Sequence, residues 1–293
     1  MNGRISRALA FLAKKQLPSG EFRLASGADR TLRESSAPKT TFGTAMIART
    51  LLSHRHLPGV SSMLDRARDF LLRERDHDGL WRFFGRGSDL VPDADDTACA
   101  LLAFDPEHGD RTILEQVVRN ADLSGAALTW FPDADGVPPA VNEADPVVNA
   151  NVYLLCRSRA FEAPSIRSYL ERLIATGDGP SRYYPSPFFF AYVIAGSELA
   201  ARQLEAAVLG RIELAFDDVL QTALALGALS RCGSAAPVQR RLLESILDAQ
   251  AEDGGWPACS AFVEPRMEGP IFYGSRELTT SLCIDALHRE CDS

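Results

Sequence analysis

Residues 7–22 read RALAFLAKKQLPSGEF, residues 66–81 read RARDFLLRERDHDGLW, and residues 241–256 read RLLESILDAQAEDGGW. The three segments share one order of events. An apolar stripe at helical spacing is followed by a long polar side chain (Gln16, Arg75 or Gln250). Four residues on comes a glycine (Gly20, Gly79 or Gly254), and two after that an aromatic (Phe22, Trp81 or Trp256). The glycine suits the left-handed turn that ends a helix. The aromatic can then fold back and seal one unit against the next, while the Gln or Arg reaches loop carbonyls. Three matching sets of offsets mark a repeat, and a repeat decides the architecture before any single element is assigned.

Working outward, apolar residues at helical spacing recur at 3–16, 41–54, 60–75, 94–105, 111–121, 146–160, 164–175, 186–197, 199–211, 216–231, 237–250 and 277–290. No segment keeps the period-2 alternation of a half-buried strand, so the chain is expected to be all-α with no sheet. The segments pair. First members such as RISRALAFLAKKQ carry charge on one face; second members such as TTFGTAMIARTLL, DDTACALLAF and DDVLQTALALGAL are apolar on most sides. A one-sided helix lies outside and an all-round apolar helix lies inside. Six outer and six inner helices closing on themselves make an (α/α)6 barrel. With no linker-like stretch, residues 1–293 read as one domain.

Composition sets the outer bounds. The 293 residues carry 31 Lys plus Arg against 39 Asp plus Glu, and 46% are hydrophobic. That is an ordinary globular mixture, and its acidic balance with no basic run argues against a nucleic-acid binder. No apolar stretch reaches the ~18 residues of a membrane span. MNGRISRALAFLAKKQ is interrupted by Lys14 and Lys15 and lacks the features of a signal peptide, so a cytoplasmic protein is expected. Cys99, Cys156, Cys232, Cys259, Cys283 and Cys291 are scattered, and the five histidines show no HExxH or HxxxH spacing. Core packing of free thiols and no metal site are the expectation.

The three repeat segments resemble the QW repeats of the squalene–hopene and oxidosqualene cyclases. VPDADDTACALLAF, residues 91–104, resembles the DxDDTA motif of the class II terpene cyclases and falls just after a QW-type turn, at the start of an inner helix. This resemblance implies that Asp95 is a Brønsted acid protonating an alkene or epoxide, with Asp93 and Asp96 holding it in place. It implies no resident cofactor; Mg2+ would enter only with a diphosphate substrate. Class II enzymes of this family usually pair two helical domains, whereas this chain has room for one barrel. That points to a single-domain type acting on C15–C20 prenyl chains, including meroterpenoids, as a small-molecule isoprenoid substrate. A lipophilic substrate also implies an apolar entrance and peripheral membrane contact. The histidine that assists the acid in hopene cyclases has no evident counterpart.

Elementary chemistry supports the same reading. Asp93 can cap a helix starting at 94, where carboxylates are favoured. Three carboxyls within four residues of an apolar chamber cannot all ionise, so one keeps its proton. A neutral carboxylic acid is what alkene protonation needs. Asn149 and Asn151, on the next inner helix, need buried hydrogen-bond partners: either the protonated Asp95 or loop carbonyls. Phe42, Trp130, Tyr184, Phe188, Phe216 and Tyr273 lie near inner-helix starts and read either as a cation-stabilising wall or as packed core. Asp217 and Asp218 read best as a helix cap. Lys39, Arg82, Arg86, Arg182, Arg266 and Arg276 fall in loops where a diphosphate patch could form.

Other barrels fit less well. Protein prenyltransferase β-subunits need a zinc held by Asp, Cys and His, but Cys283 and His288 are five apart on one helix, a poor geometry for sharing a metal. The same argument disfavours lanthionine cyclases. A carbohydrate-active (α/α)6 enzyme could pair Asp95 with Asp217 or Asp218, leaving the repeat unexplained. A non-catalytic barrel binding an isoprenoid or a partner is the remaining alternative.

Overall fold

A computed structural model describes residues 2–33, 35–104, 110–132, 141–177, 180–199, 201–234 and 237–292. The Cys291 side chain lies outside what is described; Cys99, Cys156, Cys232, Cys259 and Cys283 are free thiols. Among the described residues there are twelve α-helices. Six are inner: α2 (Phe42–Leu52), α4 (Ala94–Leu102), α6 (Pro146–Ser158), α8 (Phe189–Ile194), α10 (Val219–Arg231) and α12 (Arg276–Asp292). Six are outer: α1 (Asn2–Lys15), α3 (Val60–Arg73), α5 (Asp110–Arg119), α7 (Pro164–Thr176), α9 (Ala201–Leu209) and α11 (Val238–Asp248).

Each inner helix packs on the next, and α12 packs back on α2, so the ring closes. Burial follows the patterning. In α3 only the stripe Val60, Met63, Leu64, Ala67, Phe70 and Leu71 is buried, whereas α10 is buried on nearly every side from Val219 to Leu229. This is the (α/α)6 barrel. Among the described residues no helix is long and apolar enough to cross a membrane.

The repeat turns are the mortar. Gln16 Nε2 donates to the carbonyls of Gly20 (3.0 Å) and of Met63 on the neighbouring outer helix (2.9 Å). Gln250 does the same to Gly254 (2.8 Å) and Arg4 (3.0 Å), joining α11 to α1 and closing the outer layer. In all three turns the aromatic N–H of the backbone donates to a threonine hydroxyl of the following inner helix. The pairs are Phe22 with Thr44 (2.9 Å), Trp81 with Thr97 (3.1 Å) and Trp256 with Thr280 (3.0 Å). The indoles of Trp81 and Trp256 donate back to Leu71 and Ile246 of their own outer helices. Gly20 and Gly254 have φ of +92° and +91°, and a Cβ there would sit 2.0 Å from the Arg66 carbonyl oxygen and 2.5 Å from that of Arg7. Only glycine lets the turn lie that close to the next helix.

Two expectations need correcting. A small antiparallel sheet exists, in the order β1 (Ala25–Gly27), β3 (Ile271–Gly274), β2 (Phe262–Glu264), with Ser26 opposite Tyr273 and Val263 opposite Phe272. Strands of three or four residues are too short to display alternation in the sequence. And α8 spans only Phe189–Ile194, because Pro185 and Pro187 keep the preceding stretch out of the helix. A loop therefore takes the place of the first three residues expected of that inner helix.

Candidate active site

Asp93 caps α4, its Oδ1 accepting from the Asp96 N–H at 2.7 Å. The cap sets the first turn of the helix, and with it Asp95, at one mouth of the ring. Thr97 of the same motif serves the fold, as acceptor for Trp81, and so ties the motif to the preceding repeat turn. Beside α4 runs the segment 129–131: the Ala94 N–H donates to the Thr129 carbonyl (2.8 Å), and the Phe131 N–H to that of Pro92 (3.0 Å).

Asp95 is 7% exposed and accepts neutral hydrogen bonds from an amide and a phenol, with the Cys99 thiol a longer donor to Oδ1 at 3.9 Å. Asn151 Nδ2 donates to Oδ1 at 2.6 Å, and the Tyr184 hydroxyl donates to Oδ2. Both donors are placed by Asp145. Its Oδ1 accepts from Val147 N–H (2.8 Å) to cap α6, which carries Asn151. Its Oδ2 accepts from Ser181 Oγ (2.7 Å) and the Arg182 N–H (2.8 Å), fixing the loop that carries Tyr184. Burial pushes the Asp95 carboxyl up to about 7, against the pull of Tyr184 and Asn151 and with the help of the nearby Asp93 charge. Asp93 and Asp96 are also raised by burial, Asp96 the more so, since the Asp93 charge beside it adds to the effect of burial. They shape the field at Asp95; the hydrogen bonds that orient it come from Asn151 and Tyr184.

The motif opens into a cavity of about 500 Å³ walled by Asp93, Asp95 and Asp96 and by aromatic rings. Phe42, Trp130, Tyr184 and Tyr273 line it. Tyr183, beside Tyr184 in the aromatic run RYYPSPFFFAYVIA, lines it too, with Phe83, Phe84 and Phe262, which no sequence pattern marks. The rings meet edge-on: Tyr184 with Phe262 at 5.3 Å, Phe42 with Phe262 at 4.8 Å, Phe83 with Tyr273 at 4.9 Å. Phe262 and Tyr273 come from the sheet. At the rim, Trp130 Nε1 donates to the Tyr183 hydroxyl (2.9 Å), and Met267 and Val141 stand exposed as apolar edges.

Four expected residues are not brought to the cavity wall: Asn151, which meets the site only through Asp95, and Asn149, Phe188 and Phe216. Asn149 is turned to the loop: Oδ1 accepts from the Ala127 N–H (2.8 Å), and Nδ2 donates to the Ala127 (2.9 Å) and Asp145 (3.0 Å) carbonyls. Two positions on a helix are about 200° apart, so Asn149 and Asn151 serve opposite faces. Phe188 is fully buried in the core. Phe216 ends a short 3-10 helix, Ile212–Phe216, under the Arg241 guanidinium. Asp218 is the cap of α10, accepting from the Gln221 N–H at 2.9 Å. Of the loop cations, Arg182 and Arg266 reach the cavity, Arg266 held bidentately by Glu264 (2.7 and 2.8 Å). Lys39, Arg82 and Arg276 pair with Glu74, Asp76 and Asp253, and Arg86 lies 2.9 Å from His77. Among the described residues no three His, Cys, Asp or Glu side chains gather as a metal ion requires.

This architecture recurs in solved structures. The type II terpene cyclase MstE from Scytonema superposes with a TM-score of 0.75 at 19% identity, covering 99% of this chain and 98% of that one. A variant of it in complex with geranylgeranyl dihydroxybenzoate superposes with a TM-score of 0.76 at 18% identity, covering 99% and 97%. The chain has the fold of the type II terpene cyclases. A protein from Actinoplanes matches equally, with a TM-score of 0.76, 19% identity and 99% of both chains covered. In sequence, the drimenol cyclase of Aspergillus calidoustus is 24% identical over 282 residues, 89% of this chain. The chain spans about half (51%) of that relative's length. No protein-family model matches.

Proposed function

We propose that this chain is a single-domain class II terpene cyclase in which Asp95 protonates the distal double bond or epoxide of a linear C15–C20 prenyl chain, a meroterpenoid precursor being one such substrate. The observation that carries the proposal is the state of Asp95: buried, protonated below a pH of about 7, and facing an aromatic cavity. Both of its oxygens already accept protein hydrogen bonds, which leaves the acid's own proton for the substrate. When it departs, the carboxylate is met by the Asn151 and Tyr184 donors, so the charge that develops is stabilised where it forms. Phe42, Phe83, Phe262 and Trp130 offer ring faces to the migrating cation, each contributing about 0.5–2 kcal/mol. The cavity holds the chain folded and keeps water out, so that successive alkenes trap the cation before solvent does. Its apolar rim at Val141 and Met267 suits the entry of a hydrocarbon.

The test is turnover in D2O with farnesyl and geranylgeranyl diphosphates, a farnesylated hydroxybenzoate and squalene. The expected result is a cyclic isomer of one substrate carrying one new deuterium, with Asp95→Asn at least a thousandfold slower, within the range general-acid catalysis supplies. A product without deuterium, or an Asp95→Asn variant of undiminished rate, would remove Asp95 from this role. Equal binding of a retained ligand by both forms without turnover would favour a binding barrel.

A further inference from the structure

We infer that Arg49 is a positioning residue that fixes which end of the Asn151 amide meets Asp95. The inference rests on Asp95 being the acid. Arg49 projects from α2, the inner helix flanking α4, and is not among the cavity's wall residues. Its Nη1 donates to Asn151 Oδ1 at 2.5 Å and lies 3.5 Å from Cys99 Sγ, one turn below Asp95 on α4. The result is a three-helix relay, with Arg49 of α2 on Asn151 of α6 and Asn151 on Asp95 of α4.

A guanidinium has donors only, so the Asn151 carbonyl must face it. Reversing the amide would set N–H against N–H at Arg49 and point a carbonyl oxygen at Asp95. The two orientations have opposite chemistry. An amide N–H favours the ionised carboxylate, whereas an amide oxygen favours the protonated one and engages the very proton to be transferred. Arg49 thus selects the orientation that leaves the acid proton free and stabilises the carboxylate left behind. The other groups around Asp95 do not determine this choice. Asp93, Asp96 and Cys99 on α4 and Asp145 at the start of α6 are acidic groups, and Tyr184 donates to the other oxygen.

The experiment compares pH–rate profiles of wild type, Arg49→Met, Arg49→Lys, Asn151→Leu and the Arg49→Met/Asn151→Leu double variant, with thermal melting of each. Arg49→Met is expected to lower kcat by roughly 10–100-fold, about the worth of one mis-set hydrogen bond to a charged group, with KM changed less than about twofold. Its alkaline limb of kcat/KM should move up by about one pH unit, because Asp95 loses a donor to its ionised form. Arg49→Lys should recover part of both, and the double variant should be no slower than Asn151→Leu, since the two act in series. An unmoved limb and kcat in Arg49→Met, or additive losses in the double variant, would overturn the inference. If Arg49→Met fails to fold, the limb of Arg49→Lys decides: unchanged limb and kcat would also overturn it. An active Asp95→Asn would instead defeat the acid assignment beneath it.

Discussion

Asp95 at the start of α4 and Asp285 near the end of α12 are both buried carboxylates of the inner ring, 7% and 1% exposed. Asp95 meets an amide and a phenol. Asp285 meets the guanidinium groups of Arg231 (2.6 Å) and Arg289 (3.1 and 3.2 Å), His54 Nε2 (3.2 Å) and the Tyr192 hydroxyl (3.0 Å). Burial raises Asp95, whereas Arg231 foremost, with His54 and Arg289, holds Asp285 far below the usual carboxylate range despite its burial. With burial alike, the charge of the partners decides. Neutral donors orient a carboxyl and leave it a proton to give; cationic donors turn it into an ionised tie between α10, α12 and the turn that follows α2.

The largest expected effect breaks the tie. Asp285→Ala takes the carboxylate from Arg231, whose side chain is only 16% exposed, and breaking such a largely buried pair costs about 3–5 kcal/mol. Because the native carboxyl titrates far below its unfolded value, the stability it contributes is complete above about pH 4 and is lost only as pH falls further. Urea unfolding at pH 5 and pH 8 should therefore show the same penalty. A penalty under about 1 kcal/mol would mean that the arginines find other acceptors and that the cluster is no tie.

Asp95→Asn should act in the opposite direction. The native pKa of Asp95 is raised, so wild-type stability is fully present below the unfolded value near 4 and declines as pH rises toward about 7. Above that, the fold carries a buried ionised carboxylate at a cost on the order of 4 kcal/mol, which the amide avoids. The variant should thus outlast wild type at pH 8, with the gap closing toward pH 4. Equal unfolding midpoints at pH 8 would mean that Asp95 ionises without strain and has no reason to protonate an alkene.

The two aspartates also mark the limits of reading the sequence. DADDTA announces Asp95 because a cap, a helix start and a repeat turn coincide there, and the six-pair ring is legible from turns whose glycine and aromatic keep fixed offsets. Asp285 in SLCIDALHRE gives no such sign, since its partners Arg231 and His54 are far away in sequence. Arg49 is equally silent, one arginine on an otherwise apolar helix. The cavity wall is legible in part from aromatics near the expected inner-helix starts, and of these Phe42 lies on α2, Trp130 and Tyr184 in loops and Tyr273 on β3. Phe262 enters on a strand too short for a pattern and Phe83 and Phe84 in a loop, whereas Phe188, which reads equally as wall, is drawn into the core. Asn149 and Asn151 could have been separated by helix geometry, which places them about 200° apart, although which of the two faced Asp95 depended on the ring.

The smallest expected effect tests the contrast within one substitution type. Tyr184→Phe removes a hydroxyl from Asp95 but keeps the ring that packs edge-on against Phe42, Phe189 and Phe262. Melting should barely change. The ionised form of Asp95 loses a donor, so the alkaline limb of kcat/KM should rise by less than about one pH unit, while kcat falls about 3–10-fold for want of that donor in the transition state. Tyr192→Phe removes the matching hydroxyl from Asp285, where two guanidinium groups remain, so neither the limb nor kcat should move. A limb that shifted equally in both variants would mean that the hydroxyls act through general packing of the ring. A shift in Tyr184→Phe alone would tie the pH dependence of turnover to the neutral donors on Asp95.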